Sequence, residues 1–366
     1  MPRLAVFLPS LREGGAERSM LKLAGGLAGR SHPVDLVLAQ REGPYLDEVP
    51  DGVRVVDLRA PRVLRSLPAL RRYLRRERPR ALLSVMNHAN VVALWARRLA
   101  GVPVRLVVSE RVALSASTAR ASDLGGRLMP GLIRRFYPWA DGVVAVSHAL
   151  ADDLARRAGL PRAAIDVIYN PIVTPDLERR AKEPLRHPWL ESGAPPLVLA
   201  AGRFRPQKDF ATLLRAFARV RRARPARLLL LGEGPERARL EALVAELGIG
   251  ADVALPGFVA NPYPYMARAR VFALSSAWEG LPGVLIEALY CGALLVATDC
   301  PTGPREILAG GRYGRLVAVG DEAALAEGID DALSGRIARP PPESWRPYEI
   351  ESVVDQYLRL LLGGAP

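Results

Sequence analysis

Two glutamates eight positions apart, Glu279 and Glu287, stand in the segment SSAWEGLPGVLIEALYCG at residues 275–292. The segment is otherwise mostly apolar and predicts burial, and a carboxylate buried without a partner is costly. Between the two, Gly280-Leu281-Pro282 leads from the strand-like VFALSS into a helix starting at Pro282, a residue favoured in the first helical turn. Backbone N–H groups near Leu281 to Val284 then point beyond the strand end, with the positive end of the helix dipole behind them. That arrangement suits a phosphate-sized anion. At a rise of about 1.5 Å per residue the carboxylates are separated by about 12 Å or less along the axis. Such a span fits a ligand with phosphate in the middle and a sugar at either end. The bland alternative is a helix with one terminal and one chance interior glutamate.

A second cluster follows the strand-like PLVLAAG. In GRFRPQKDF, Arg203 and Lys208 stand five apart on the loop into the next helix, and two cations at a strand end are what a diphosphate needs. Lys208 is one of only three lysines among 51 basic residues, which argues against an incidental solvated charge. In the first half, LAVFLPS runs into LREGGAERS, where Gly14-Gly15 precede a helix. The pair makes either a tight turn or a place where a ligand approaches the backbone closely. The full G-x-G-x-x-G is missing, so a dinucleotide fingerprint is not supported. No D-x-D occurs and no His/Cys group has metal spacing, so no metal cofactor is expected. Cys291 and Cys300, in apolar surroundings, read as inert buried thiols of a cytosolic chain.

The elements that must position these residues alternate. Strand-like runs at 4–9, 33–39, 53–58, 81–86, 104–109 and 142–147 are interleaved with helical patterns such as 17–30 and 89–101. The same grammar restarts at PLVLAAG (196–202), with strands at 226–232, 252–258, 271–276 and 294–298 and helices at 209–223 and 235–248. Short apolar strands alternating with helices predict parallel sheets covered on both faces. The fold class is therefore α/β with two doubly wound, Rossmann-like domains, at 1–170 and 196–345, joined by a Pro- and charge-rich linker at 171–195. Ligands bind beyond the carboxyl ends of such strands, and two domains facing each other form a cleft with two half-sites.

A chain of 366 residues is long enough for two cores, and no uncharged apolar run is long enough to span a membrane. Met1-Pro2-Arg3 leads straight into a strand, so no secretory signal is expected. The net charge of +13 is uneven: residues 1–170 carry 27 basic against 15 acidic side chains, residues 171–366 carry 24 against 23. A basic first half looks toward a polyanion, either a membrane surface or nucleic acid.

GRFRPQKDF, GGAER and residues 261–308 (NPYPYMARARVFALSSAWEGLPGVLIEALYCGALLVATDCPTGPREIL) together resemble the GT-B fold retaining glycosyltransferases with an E-x7-E signature, the group 1, family 4-like enzymes. The resemblance covers nearly the whole chain and is most specific over residues 198–308. It implies that the second domain holds a nucleotide-sugar donor. Arg203 and Lys208 would neutralise its diphosphate, Glu287 would bind the ribose hydroxyls, and Glu279 would face the transferred sugar. The amides around Gly280, Leu281 and Pro282 would hold the distal phosphate, Gly15 and Phe258 would complete the donor-binding set, and a final helix within 346–366 would cross back onto the first domain. Metal independence is usual in this fold. The catalytic-cleft histidine usual in the family has no clear match. Ser109-Glu110-Arg111 stands at that position, and Glu110 could orient an acceptor hydroxyl or stabilise charge on the sugar ring. His88, in MNHAN, either lines the acceptor side or is satisfied by neighbouring backbone; His32, His148 and His187 read as structural.

Two basic stretches bear on the acceptor. PRVLRSLPALRRYLRRERPR (61–80) places Leu64, Leu67, Leu70 and Leu74 on one helical face and arginines on the other. GRLMPGLIRRFYPWAD (126–141) mixes Leu128, Met129, Leu132, Ile133, Phe136, Tyr137 and Trp139 with Arg127, Arg134 and Arg135. Mixed aromatic and basic residues suit an anionic bilayer interface, although a core-facing helix is the alternative. The sequence therefore predicts a cytoplasmic enzyme, peripheral on the inner face of the membrane. It moves a hexose or N-acetylhexosamine from a UDP-sugar to a lipid-linked or polysaccharide glycan, after closure that excludes water. The competing readings are a nucleotide-sugar epimerase or hydrolase on the same fold and, from charge alone, a nucleic-acid binder. The low aromatic content, 6%, and the lack of a recognised module oppose the last, and no nucleic-acid partner is expected.

Overall fold

The run LAVFL at the start of the chain is buried along its whole length, as a strand becomes when helices cover both faces of its sheet. The computed structural model describes all residues except Glu13, 116–123 and 365–366, and it divides into two units. Unit 1 is Met1–Ile172 with Pro347–Pro366, and unit 2 is Val173–Arg346.

Unit 1 is built on β1 (Leu4–Leu8), β2 (Val34–Leu38), β3 (Val53–Asp57), β4 (Ala81–Val85), β5 (Arg105–Glu110), β6 (Gly142–Ala145) and β7 (Ile165–Val167). They form one parallel sheet in the order β3-β2-β1-β4-β5-β6-β7. Unit 2 is built on β8 (Leu197–Ala201), β9 (Arg227–Leu231), β10 (Val253–Gly257), β11 (Val271–Leu274), β12 (Leu294–Thr298) and β13 (Arg315–Val317). Its sheet, also parallel, runs β10-β9-β8-β11-β12-β13. In each sheet the strand order reverses once, between β1 and β4 and between β8 and β11. The edge strands β7 and β13 were not anticipated; three partly exposed residues carry too little pattern to be seen.

Each unit has its own core. In unit 2, Phe204, Phe217, Leu228, Leu230, Val271 and Val296 pack with Leu325 and Ile329 of the helix Glu322–Leu333. In unit 1 the helix Ile350–Leu362 completes the core, with Val353, Val354, Tyr357 and Leu361 buried among Met20, Leu23 and the strands. Asp35, buried as the second residue of β2, is held by Arg54 (2.9 and 2.6 Å), Arg3 (2.6 Å) and the Tyr73 hydroxyl (2.7 Å). Burial alone would raise its pKa, but these donors together hold it below the usual carboxylate value.

Three expectations need correction. Residues 61–80 are not one helix. A 3-10 turn, Val63–Ser66, precedes the helix Leu67–Glu77, because Pro68 has no N–H and starts a new helix at its first turn. Leu64 is consequently 73% exposed while Leu70, Tyr73 and Leu74 are buried. The helix Leu124–Phe136 ends before Pro138, and the 3-10 turn Tyr137–Trp139 swings Tyr137 inward, so Tyr137 and Ile133 are core residues and not part of an outward face. The stretch 171–195 is no free tether: its helix Leu177–Ala181 packs on unit 2, where Arg180 lies over the Tyr263 ring and donates to Ala260 O.

Candidate active site

In a parallel sheet the loops on either side of an order reversal part and leave a crevice beyond the strand ends. In unit 2 those loops are the ones after β8 and β11, and they carry the predicted residues. After β8 the chain passes Gly202 and Arg203, makes a 3-10 turn at Pro206–Lys208, and enters the helix Phe210–Ala223. Asp209, in the left-handed region at φ 43°, caps that helix through Thr212 N (3.4 Å) and Thr212 Oγ1 (2.7 Å). The two loops are laced together. Ser275 Oγ donates to Lys208 O (2.7 Å), Ala277 N–H to Gln207 O (2.8 Å), and Gln207 Nε2 to Trp278 O (3.0 Å).

This lacing brings Lys208 onto Glu279. The ammonium meets Glu279 Oε1 at 2.6 Å, Ser276 Oγ donates to the same oxygen at 2.7 Å, and Gln207 Nε2 reaches Oε2 at 3.3 Å. Both partners are largely withdrawn from water, with side-chain exposures of 14% and 7%. Arg203 is half-buried on the same loop. Gly280, Leu281 and Pro282 are buried, and Pro282 serves as the N-cap of a helix that begins at Gly283, one residue later than expected. No side chain among the described residues caps that helix, an arrangement that leaves its first amides to an anion.

Glu287, 6% exposed on the helix Gly283–Tyr290, accepts a hydrogen bond from the hydroxyl of fully buried Tyr263 at 3.1 Å. The loop after β12 supports the floor. Thr302 Oγ1 donates to Glu279 O, and Thr298 Oγ1 donates to Ser276 O at 2.6 Å. Gly303, at φ 95°, lies so close that a Cβ there would stand 2.5 Å from Pro282 Cδ and 3.0 Å from Gly280 O. Tyr263, Ser276, Gln207, Thr302 and Gly303 were not singled out from sequence, and only the glycine in CPTGPREIL carried a local signal. Phe258 lies apart from this group, 73% exposed after β10, two strands from β8. Burial pushes the Cys300 and Cys291 thiols up to about 12, with Glu279 and Glu287 adding to the effect, so neither is a nucleophile at neutral pH.

In unit 1 the corresponding reversal lies between β1 and β4. Gly14 is extended, at φ −176°, so the turn does not require a glycine there, but a Cβ would stand 2.3 Å from Glu17 Oε2 and the Glu17 side chain would have to move; a Cβ on Gly15 would meet nothing within 4 Å among the described residues. Met86, a non-glycine residue at φ 80°, leads into the helix Asn87–Ala100, and strain of this kind gathers at functional sites. His88 is exposed on that helix, its Nδ1 3.3 Å from Asn87 Oδ1. Glu110 is the last residue of β5 and not the first of a loop. It is buried, and it accepts from Tyr137 OH and from Asn90 Nδ2 (3.1 Å). Burial pushes its carboxyl up to about 7, with the two donors working the other way. Among the described residues, no cluster of His, Cys, Asp or Glu is arranged to hold a metal, and no helix is long and apolar enough to cross a membrane.

The model of the group 1 glycosyl transferases matches residues 181–351, and that of glycosyltransferase family 4 matches residues 13–175. The chain is 30% identical over 378 residues to the N-acetylgalactosamine-N,N'-diacetylbacillosaminyl-diphospho-undecaprenol 4-alpha-N-acetylgalactosaminyltransferase of Campylobacter jejuni, covering 99% of this chain and 100% of the relative. It belongs to the group 1, family 4-like glycosyltransferases. A second Campylobacter jejuni relative, the GalNAc-alpha-(1->4)-GalNAc-alpha-(1->3)-diNAcBac-PP-undecaprenol alpha-1,4-N-acetyl-D-galactosaminyltransferase, is 24% identical over 99% of this chain and 98% of its own. Among solved structures, Anabaena Alr3699/HepE in complex with UDP and glucose superposes with a TM-score of 0.78 at 21% identity, over 99% of this chain and 100% of that one. The architecture of this glycosyltransferase is GT-B.

Two expected results follow from the glycosyltransferase's own geometry. Tyr263→Phe removes a hydrogen bond to a buried carboxylate, worth about 1.5–3 kcal/mol, without opening a cavity. Isothermal titration should show a clear loss of donor affinity with the fold intact, and an unchanged affinity would remove Tyr263 from the site. Glu110→Gln should change the pH dependence of stability. The folded carboxyl titrates near about 7 against an ordinary 4.5, so the unfolded chain releases its proton first as pH rises. The wild type should therefore lose stability relative to the variant from about pH 4.5 to about 7, with a constant gap above. Parallel melting curves of the two at pH 5 and pH 8 would contradict this.

Proposed function

We propose that this glycosyltransferase transfers a hexose or N-acetylhexosamine from a UDP-sugar to a hydroxyl of a lipid-linked or polysaccharide glycan, with retention of anomeric configuration and without a metal ion. The observation that carries the reading is the buried Lys208–Glu279 pair set beside the uncapped start of the helix Gly283–Tyr290, at the β8/β11 reversal. A cation and aligned amides receive a diphosphate, and two carboxylates flank it for sugar hydroxyls. In this reading Arg203 and Lys208 neutralise the donor diphosphate and the amides of Gly280 and Leu281, with those of Gly283 and Val284 beyond Pro282, hold its distal phosphate. Glu287, aimed by Tyr263, takes the ribose, and Glu279 faces the transferred sugar. The relatives' names support the acceptor and sugar class: both Campylobacter jejuni enzymes are named as N-acetylgalactosaminyltransferases on diphospho- or PP-undecaprenol substrates, and the Anabaena structure holds UDP and glucose.

Chemically, the bond from the anomeric carbon to the diphosphate oxygen breaks on the face where the acceptor oxygen arrives. The acceptor proton passes to that departing oxygen, and Arg203, Lys208 and the helix dipole stabilise the charge. Glu110 and His88 belong to the acceptor side, where Glu110 orients a hydroxyl. The arginine-rich unit 1 meets the anionic inner face of the cytoplasmic membrane. The test is UDP release dependent on both donor and glycan acceptor, run in the presence of a chelator, with NMR of the new anomeric centre. Inverted product, strict metal dependence, or catalytic release of free or epimerised sugar from donor alone would each sink part of this reading.

A further inference from the structure

At the amino-terminal ends of β4, β5 and β6, the opposite strand ends from those bearing Glu110 and His88, unit 1 has an open depression of about 490 Å³. Arg80, Arg97 and Arg105 line it, together with a single carboxylate among the described residues, Asp141. Topology gathers them: Arg80 directly precedes β4, Arg105 opens β5, Asp141 directly precedes β6, and Arg97 stands in the last turn of the helix Asn87–Ala100, which runs back to this edge. Two of the guanidinium groups are fixed in place. Arg97 pairs with Asp141 and donates to Trp139 O, while Arg105 Nε donates to Leu360 O at 2.7 Å. Asp141 is itself committed, its Oδ2 accepting the Leu106 N–H at 2.7 Å.

Three guanidinium groups against one carboxylate leave the lining with a net charge of +2. The surroundings do not cancel it. Residues 59–139 hold 17 arginines against three acidic residues, a difference of +14, when the whole chain carries +13. The last turns of the helices Leu67–Glu77 and Leu124–Phe136 bring Arg75, Arg76, Arg134 and Arg135 toward the same strand ends. Like charges held in one concave site repel one another, and an anion that enters relieves that repulsion. Arginine in particular presents a planar fork of donors matched to phosphate oxygens.

We propose that this depression is a binding site for a phosphate group, carried either by a lipid head group or by a soluble phosphate compound. A phosphomonoester dianion balances the lining, and the volume falls within the range of about 300–1,000 Å³ typical of small-ligand sites. The site is separate from the loops assigned to the donor, so it stands whether or not that assignment is right.

The probe is inorganic diphosphate, titrated calorimetrically into the full chain, and the Arg80-dependent part of the binding is read, because UDP carries the same diphosphate group and would compete for this site. One Arg80-dependent diphosphate per chain is expected, with affinity falling steeply with salt and at least 10-fold in both Arg80→Ala and Val102→Glu. Arg80 is exposed and outside the reaction site, so turnover of a soluble acceptor by Arg80→Ala should be unchanged. Should one variant unfold, the other still reports. A parallel arm uses phosphatidylglycerol and phosphatidylcholine vesicles. Arg80-dependent binding to phosphatidylglycerol alone identifies a head group as the source, whereas diphosphate binding without vesicle binding identifies a soluble compound. No Arg80-dependent diphosphate binding together with no Arg80-dependent vesicle binding overturns the proposal, as does binding that both variants leave intact.

Discussion

Lys208→Ala should cost this glycosyltransferase about 10²–10³ in kcat/KM, the usual loss when one preorganised charge at a developing anion is removed. The size follows from where Lys208 sits. Its ammonium is 14% exposed and bonded at 2.6 Å to a carboxylate that is 7% exposed, so alanine does more than delete a cation. It leaves Glu279 buried with Ser276 Oγ and Gln207 Nε2 as its side-chain donors among the described residues. Breaking a buried pair from one side costs about 3–5 kcal/mol, and the remaining donors put this case at the low end. Activity and thermal stability should therefore fall together. Lys208→Arg keeps the charge but changes its shape, and should recover stability better than turnover. Steady-state kinetics on a UDP-sugar with melting curves on the same samples decide the matter; full activity in Lys208→Ala would remove the residue from the reaction.

Gly303→Ala is the second large effect expected. The position has φ 95°, and an added Cβ would meet Pro282 Cδ at 2.5 Å, Gly280 O at 3.0 Å and Leu281 Cα at 3.2 Å. A ring and backbone do not swing aside as the tip of a long side chain does. Strain of about 1–2 kcal/mol from the left-handed backbone adds to about 1–3 kcal/mol for forced overpacking. The protein should lose roughly 2–5 kcal/mol, or else the Gly280–Pro282 loop should shift and donor affinity should drop at least 10-fold. Gly310→Ala is the control, because φ there is 72° but nothing lies within 4 Å of an added Cβ. Denaturant titration of both variants separates the terms: equal losses would show that contact with the loop contributes nothing.

What was legible in the sequence was whatever depends on one stretch of chain. Strand runs, the helix start near Pro282 and the loop carrying Arg203 and Lys208 all declare themselves within ten or fifteen residues. That Lys208 and Glu279 touch depends on β8 and β11 being neighbours, a matter of strand order that no local pattern records. Tyr263 stayed hidden for the same reason. Its phenol reaches Glu287 across 24 residues, and as one of several aromatics in NPYPYM it gave no sign of pointing inward. Tyr137 was misread because composition suggested an aromatic and basic outer face; Pro138 ends the helix and turns the ring in to Glu110. The glycine pair at residues 14 and 15 was legible as a position but not as a reason, since only coordinates show that Gly15 has room for a side chain while Gly14 has it only if Glu17 moves.

On the ribosome, unit 1 is begun first and finished last. Its helix Gly15–Gly29 lies against Ile350–Leu362, and Gly26 leaves no room for a Cβ beside Val354. Until those late residues emerge, Met20, Leu23 and their neighbours have no cover from Val353, Tyr357 and Leu361. Unit 2 is one uninterrupted segment and can close as soon as it has been made. Domains usually complete from the amino terminus onward during synthesis, and here that order is inverted. The nascent chain must carry an open apolar flank through the making of an entire domain, which makes the interval between Ile172 and Pro347 the window in which a holding chaperone has most to do.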